Sequence, residues 1–301
     1  MIEIAAAAGA DAIKFQSFKA DGLASKRDAR GQYDFFRRFE LNHEDHARLA
    51  RACADAGIDF LSTPFDFESA NLLDNLGVPA FKVASCDLTN LPLIEHIAKF
   101  GKPMFISTGM GNIEEVIAAR DAALSSGSPE VTMLHCTTLY PTPYSAANLN
   151  AISTMKAALG TPVGFSDHTV GNWACYAAVA LGAAVIEKHF ALDKSMDGPD
   201  IPGSCDPKEL ADLVAGIHAI SESLGSGEKG IAQGEDEMVA IARRSVYSAI
   251  RISKGESLTA DHLAYKRPGD GISPADAALL IGKRALQDIE PDTKLDWKML
   301  G

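Results

Sequence analysis

PVGFSDH at 162–168 and VIEKHF at 185–190 decide the fold. Each is a short apolar run that closes on a histidine, and the segment between them, 170–181, carries the pattern of a helix. Strand, helix and strand in that order make a parallel βαβ unit. The same texture extends upstream. Strands are predicted at 11–16 (DAIKFQ), 59–65 (DFLSTPF), 80–85 (AFKVAS), 103–109 (PMFISTG) and 131–136 (VTMLHC), with helices over 44–56, 68–76, 91–100 and 113–125. Most of these strands are rich in Val, Ile or Phe, and a Gly or Pro usually stands at or just before the start, where a turn must end. Downstream, an amphipathic helix is predicted over 207–224. Strands separated by single helices imply an α/β protein with a parallel sheet.

The count is seven strands, whereas a closed (β/α)8 barrel has eight. The opening MIEIAAAAGAD reads as the end of a helix. The expected fold is therefore a (β/α)8 TIM barrel lacking its first strand, with an open doubly wound sheet as the alternative. Polar residues gathering at strand C-ends, where barrel chemistry sits, favour the barrel. Residues 225–243 are Gly-rich and acidic, then weakly helical, and 226–243 reads as a linker. Beyond it, 285–295 (ALQDIEPDTKL) echoes 248–258 (SAIRISKGESL), so that Ile289 matches Ile252 and Leu295 matches Leu258. This internal repeat predicts a small, pseudo-symmetric β-rich domain over 244–301, with the barrel occupying 1–225.

Composition narrows the function. A net charge of −12 leaves no basic stripe for nucleic acid, and no apolar run is long enough to span a membrane. Five cysteines without a C-x-x-C pair read as reduced thiols, and the N-terminus has no basic leader, so a cytoplasmic location is expected. An anionic substrate would have to be drawn in by local cations against the overall field.

Two neighbouring strands end in His168 and His189. Side chains two apart share a face, so Ser166 with His168, and Glu187 with His189, can line one interior. A single such histidine would most simply be a packed ring. Two at matching strand ends, with oxygen ligands completing the shell, suit a divalent first-row metal. Lys14 and Lys82 lie on strands, where a lysine is costly unless paired, and they read either as snorkelling chains or as cations for phosphate or carboxylate. The hydroxyls of Thr63, Ser85, Ser107, Thr108 and Ser166 recur at strand ends. Together with the lysines they amount to an oxyanion-binding mouth. HCTTLYPTPY (135–144) reads as a rigid turn in which His135 packs, and DKSMDGPD (193–200) as a solvated acidic turn. No Walker loop, dinucleotide fingerprint or nucleophile elbow is present.

The segments IKFQSFKAD, FLSTPFD, FKVASCDLTNLPLIEHIAK, ISTGM, HCTTLYPTPY, GFSDHT, IEKHF, DGPD and YKRPGDGISP, in this order and over nearly the whole chain, resemble the sialic acid synthase family. The resemblance implies a (β/α)8 barrel followed by an antifreeze-like (SAF) domain. It also implies a domain-swapped homodimer, in which the small domain of one subunit covers the barrel mouth of its partner. The implied reaction joins phosphoenolpyruvate to N-acetylmannosamine or a related N-acyl amino-sugar aldehyde. The implied metal is Mn2+ or Mg2+, held by His168 and His189. Lys14, Lys82, Thr63, Ser85, Ser107 and Ser166 correspond to the phosphoenolpyruvate-binding set. Gln16 and Glu187 lie near the reacting centre, Glu187 with the two lysines as the catalytic group. Tyr140 and Asp200 correspond to sugar contacts, and Arg267 to the arginine that the partner presents to the sugar. Thr138 departs from the asparagine that the family commonly places beside phosphoenolpyruvate. The family's opening strand, with its E-I-G-x-N-H-type stretch, has no equivalent here, so poor stability and weak activity are expected of the chain as given. The alternative sugar is that of an N,N'-diacetyllegionaminate or pseudaminate synthase, and STPFD and LTNLPL are more similar to the sialic and legionaminic type than to the pseudaminic. A sugar isomerase or aldolase on the same barrel, and a non-catalytic binding or dimerising barrel, are the remaining alternatives.

Overall fold

The strands fall where apolar runs are bounded by turns, and the computed structural model, which describes residues 1–301, contains all seven. They are β1 (Ala12–Ser17), β2 (Asp59–Pro64), β3 (Phe81–Val83), β4 (Met104–Ser107), β5 (Val131–Cys136), β6 (Val163–Asp167) and β7 (Ile186–Lys188). β1 pairs with β2, and β3 to β7 form a five-stranded sheet, every pair parallel and in chain order. A doubly wound sheet reverses its strand order at a switch point. Nothing reverses here: β2 lies against β3 without ladder pairing, so the strands run side by side in chain order, and the outer edges of β1 and β7 pair with no other strand.

Helices follow or precede these strands: α1 (Ile2–Ala7), α2 (Ala20–Leu23), α3 (Arg30–Arg37), α4 (His43–Ala56), α5 (Phe67–Asn75), α6 (Leu91–Ala98), α7 (Ile113–Ser125), α8 (Asn150–Leu159), α9 (Trp173–Ala180) and α10 (Pro207–Ser223). α4, α7 and α10 each start at a capping box, from Asn42 to Asp45, Asn112 to Glu115 and Asp206 to Glu209. Reciprocal side-chain bonds there satisfy amide groups that a helix start leaves free. The helix expected from 170 begins only at Trp173, because Gly171 sits in the left-handed region at φ +76° and ends the turn that precedes it. The apolar faces of strands and helices meet in one core that includes Phe81, Val83, Ile94, Ile97, Ile106, Ala119 and Met133, all fully buried.

Two compact units emerge, Met1–Gly225 and Ser226–Gly301. The second contains α11 (Asp236–Ala242), inside the stretch read as a linker, and an antiparallel pair, β8 (Ser245–Ser248) with β9 (Leu263–Lys266). The Gly269 N–H donates to the Ala240 carbonyl at 2.7 Å, which ties the end of α11 into this unit. The internal repeat becomes physical contact here. Ile252 and Ile289 bridge antiparallel, each N–H donating to the other's carbonyl at 2.9 Å. With Val246, Leu258 and Leu295 they form the buried core of this unit.

Candidate active site

Alternation along a strand sends every second side chain to the same face. Lys14 on β1, Lys82 on β3, Ser166 on β6 and Glu187 on β7 thereby reach one interior cavity of about 820 Å3, which His168 and His189 also line. The Glu187 carboxylate is its electrostatic centre. Lys14 Nζ stands 3.7 Å from one oxygen and Lys82 Nζ 3.7 Å from the other, while the Ser166 hydroxyl donates at 2.7 Å. Burial works to raise the carboxyl of Glu187, but the two lysines overcome it and hold the group at about 2. Burial brings Lys82 down to about 8, against the attraction of Glu187. Its ammonium also donates to the Val83 carbonyl at 2.7 Å. Two cations on one anion leave a net positive charge inside an acidic protein.

Around this centre, the hydroxyls of Thr63, Ser107 and Thr138 are buried with no hydrogen-bond partner. Buried polar atoms are nearly always satisfied, so unpaired ones at strand ends are candidate places for ligand atoms. The segments after β3, β4 and β5 interlock here. Ser85 Oγ accepts the Gly109 N–H at 3.0 Å, and a Cβ at Gly109 would lie 2.1 Å from Thr138 Oγ1. Only glycine leaves that hydroxyl its place. Thr108 instead donates to the Leu134 carbonyl and is occupied structurally.

The two imidazoles converge as the strand pattern requires. Their rings are 5.2 Å apart between centroids and inclined by 25°, and Tyr140 packs against both, 4.2 Å from His168 and 5.9 Å from His189. His168 Nδ1 lies 2.9 Å from the Thr137 carbonyl. A carbonyl only accepts, so Nδ1 carries the proton and Nε2 keeps its lone pair. Burial opposes protonation of His168, yet the neighbouring Cys136 thiol and the Thr137 carbonyl raise it. Burial holds His189 at about 4, against the opposing charge of Asp200, so that ring is neutral near pH 7. Burial, with Cys136, Asp200 and Glu187 adding to it, pushes the Tyr140 phenol up, and it stays protonated. No group of three or more His, Cys, Asp or Glu side chains converges as a metal cage. Two imidazoles, with oxygen ligands still to be supplied, are the type of donor set that a divalent first-row cation takes.

The remaining candidates divide. Gln16, opposite Thr63 in the β1–β2 register, is exposed and enters no side-chain hydrogen bond. Arg267 belongs to the second unit, where it lines a separate surface hollow with Ala240, Ile241, Pro268 and Asp270. His135 packs as expected, its ring 5.9 Å from Phe165 and its Nε2 on the Ala147 carbonyl. Cys86, beside Ser85, has a thiol that burial and the Asp87 carboxylate push up to about 11. Sequence reasoning passed over Asp167 and Lys188, which form a fully buried ion pair at 2.6 Å between the histidine-bearing strand ends. The cost argument that singled out Lys14 and Lys82 applies equally to them.

Residues 1–229 match the model of the NeuB family, and residues 243–301 that of the SAF domain. An N,N'-diacetyllegionaminic acid synthase of Campylobacter jejuni is 40% identical over 306 residues, covering 97% of this chain and 92% of that protein. An N-acetylneuraminate-9-phosphate synthase of Homo sapiens is 34% identical over 305 residues, covering 97% and 85%. Among solved structures, an N-acetylneuraminic acid (sialic acid) synthetase of Leptospira borgpetersenii in complex with citrate superposes with a TM-score of 0.74. It is 35% identical, over 79% of this chain and 83% of that one.

Proposed function

This chain belongs to the NeuB family and carries a SAF domain, and on that premise we propose that it is a nonulosonic acid synthase. It joins phosphoenolpyruvate, an N-acyl mannosamine-type aldehyde and water, and it releases phosphate. The observation that carries this reading is the pairing of Lys14 and Lys82 about Glu187, among unpartnered hydroxyls, on the same interior as two convergent imidazoles.

Lys14 and Lys82, with the hydroxyls of Thr63, Ser85, Ser107, Thr138 and Ser166, bind the carboxylate and phosphate of phosphoenolpyruvate and fix C3 towards the aldehyde. C3 bonds to the aldehyde carbon, positive charge develops at C2, and water adds there with loss of a proton. The C2–O bond then breaks and phosphate leaves. Glu187, ionised by its lysines, faces the developing positive charge, and the lysines stabilise the departing phosphate. His168 and His189 would hold a divalent cation, Mn2+ or Mg2+, which when bound supplies Lewis-acid charge beside the aldehyde oxygen. Tyr140, against both rings, and Asp200, whose charge reaches His189 and Tyr140, hold the sugar.

The sugar we propose is N-acetylmannosamine. A diacetylated legionaminate-type precursor is the second reading, favoured by the higher identity to the Campylobacter protein than to the human one. We propose that the parallel strands form a (β/α)8 barrel without its first strand, the open position lying between the unpaired edges of β1 and β7. A homodimer is also proposed, with Gln16 near the reacting centre and Arg267 of a second subunit on the sugar. Exposed apolar side chains after β4 and β6, Met110 at 71% and Trp173 at 74%, support a covered mouth. No helix is long and apolar enough to cross a membrane. The cysteines are free, and a cytoplasmic location is proposed from them.

The test is phosphate release with phosphoenolpyruvate, Mn2+ and a panel of N-acylated hexosamine aldehydes. Release that requires both phosphoenolpyruvate and one sugar supports the synthase and identifies the sugar. Isomerisation or cleavage of a sugar without phosphoenolpyruvate would assign the site to an isomerase or aldolase instead.

A further inference from the structure

We propose that Asp167 and Lys188, on the strand faces opposite those that carry His168 and His189, are positioning residues that hold the two imidazoles in their converging arrangement. The proposal rests on reading those two rings as a divalent-cation site.

The backbone ladder between β6 and β7 ends with Asp167 opposite Lys188. His168 and His189 each stand one residue beyond that last rung; their carbonyls accept from the Thr142 and Cys205 N–H groups at 2.8 Å, but no β6–β7 rung joins the two histidines to each other. Side chains alternate across a strand, which puts 167 and 188 on the face opposite to 168 and 189. There the Lys188 ammonium donates to Asp167 Oδ2 at 2.6 Å and to the Thr169 carbonyl at 2.8 Å. One cation thus grips the chain on both sides of His168 from the residue next to His189. The carboxylate is saturated from its other directions. Thr169 N–H donates to Oδ1 at 2.9 Å, and the Thr169 hydroxyl and the Cys175 thiol donate to Oδ2 at 3.1 and 3.2 Å. Cys175 belongs to α9, so the knot ties the strand ends to the helix between them.

Both side chains are cut off from water, Asp167 at 0% and Lys188 at 2% exposure. A buried ion pair adds little net stability over a well-packed apolar replacement, so stability alone does not account for it. What this one secures is geometry: its donors and acceptors are spent on residues 167 to 169, on Cys175 of α9 and on the residue before His189. The two rings differ in their need of it. His168 is oriented directly by the Thr137 carbonyl, whereas the His189 ring makes no hydrogen bond and depends on its backbone and on the rings it packs against. Outer partners of this kind set the affinity of a metal site by orienting its ligands.

The experiment is an Mn2+ titration of the metal-free full chain, with free Mn2+ read by electron paramagnetic resonance and folding by thermal melting. Three proteins are compared: wild type, the charge-free double variant Asp167→Asn/Lys188→Met, and the conservative Lys188→Arg. Wild type should bind Mn2+. The double variant should melt cooperatively yet bind ten- to a hundredfold more weakly, about the loss expected for an outer partner. Lys188→Arg should recover most of the affinity. A folded double variant with wild-type affinity overturns the proposal. So does one that fails to fold, since the pair then serves the fold, and so does a Lys188→Arg as weak as the double variant. Wild type that binds no Mn2+ removes the metal reading itself, and the proposal with it.

Discussion

Lys82 keeps 3% of its surface in contact with water, and burial brings its ammonium down to about 8. The folded pKa lies below the ordinary lysine value of 10.5, so below pH 8 the folded state bears the full cost of a buried charge. Between about 8 and 10.5 the unfolded chain holds more protons, and the contribution of Lys82 to stability rises with pH. Binding of phosphoenolpyruvate needs the charged form and should move the other way. We expect kcat/KM for phosphoenolpyruvate to fall above about pH 8 without a matching fall in melting temperature, and Lys82→Arg to shift that limb upward. A limb that stays in place in Lys82→Arg would assign it to another group. His168→Ala should lower metal-dependent turnover by ~100-fold or more, since Lewis-acid charge stabilisation is worth several kcal/mol. Its melting temperature should change little, and full turnover of the variant under a chelator would remove the metal from the mechanism. Lys14, Lys82 and the histidines were legible because polar residues on apolar strands are conspicuous. The packing of Tyr140 against both rings was not, since its place depends on how the segment after β5 folds back.

At the scale of elements, the sequence located helices best where a cap marks them. The expectation of 44–56 became His43–Ala56, and 113–125 matched Ile113–Ser125, each behind an asparagine capping box. Strand ends were overrun. The stretch read as 80–85 pairs only over Phe81–Val83, because Ser85–Asp87 turns into a short 3-10 helix. The repeat in the second unit was legible as matched positions, and the matched Ile252 and Ile289 proved to be partners in space. Ile252 is 0% exposed, so Ile252→Ala should destabilise that unit by about 2–5 kcal/mol. The chain has two tryptophans, Trp173 in the first unit and Trp297 in the second. Urea unfolding followed by Trp297 fluorescence in a Trp173→Phe background would measure the loss, and a change below about 1 kcal/mol would contradict the packing described.

For the whole molecule, a charge of −12 surrounds a cavity whose ion cluster is net positive. Long-range repulsion of a trianionic substrate is screened as the Debye length falls from ~30 Å at 0.01 M salt to ~10 Å at 0.1 M, whereas the enclosed lysines are screened far less. Raising salt over that range should therefore increase kcat/KM for phosphoenolpyruvate, and a decrease would show that exposed cations at the mouth dominate approach. The change of texture that the sequence shows comes after Arg244, with 226–243 read as a weakly helical linker, whereas the second compact unit starts at Ser226 and takes in that stretch with its helix α11. Chemical handling follows from the thiols. Four cysteines are buried, and in the more exposed Cys86 desolvation and the Asp87 carboxylate push the thiol up to about 11. A thiol raised in this way carries little of the nucleophilic thiolate at neutral pH. The protein should stay monomeric at sulfur in air, resist alkylation by iodoacetamide, and need no reducing agent on storage.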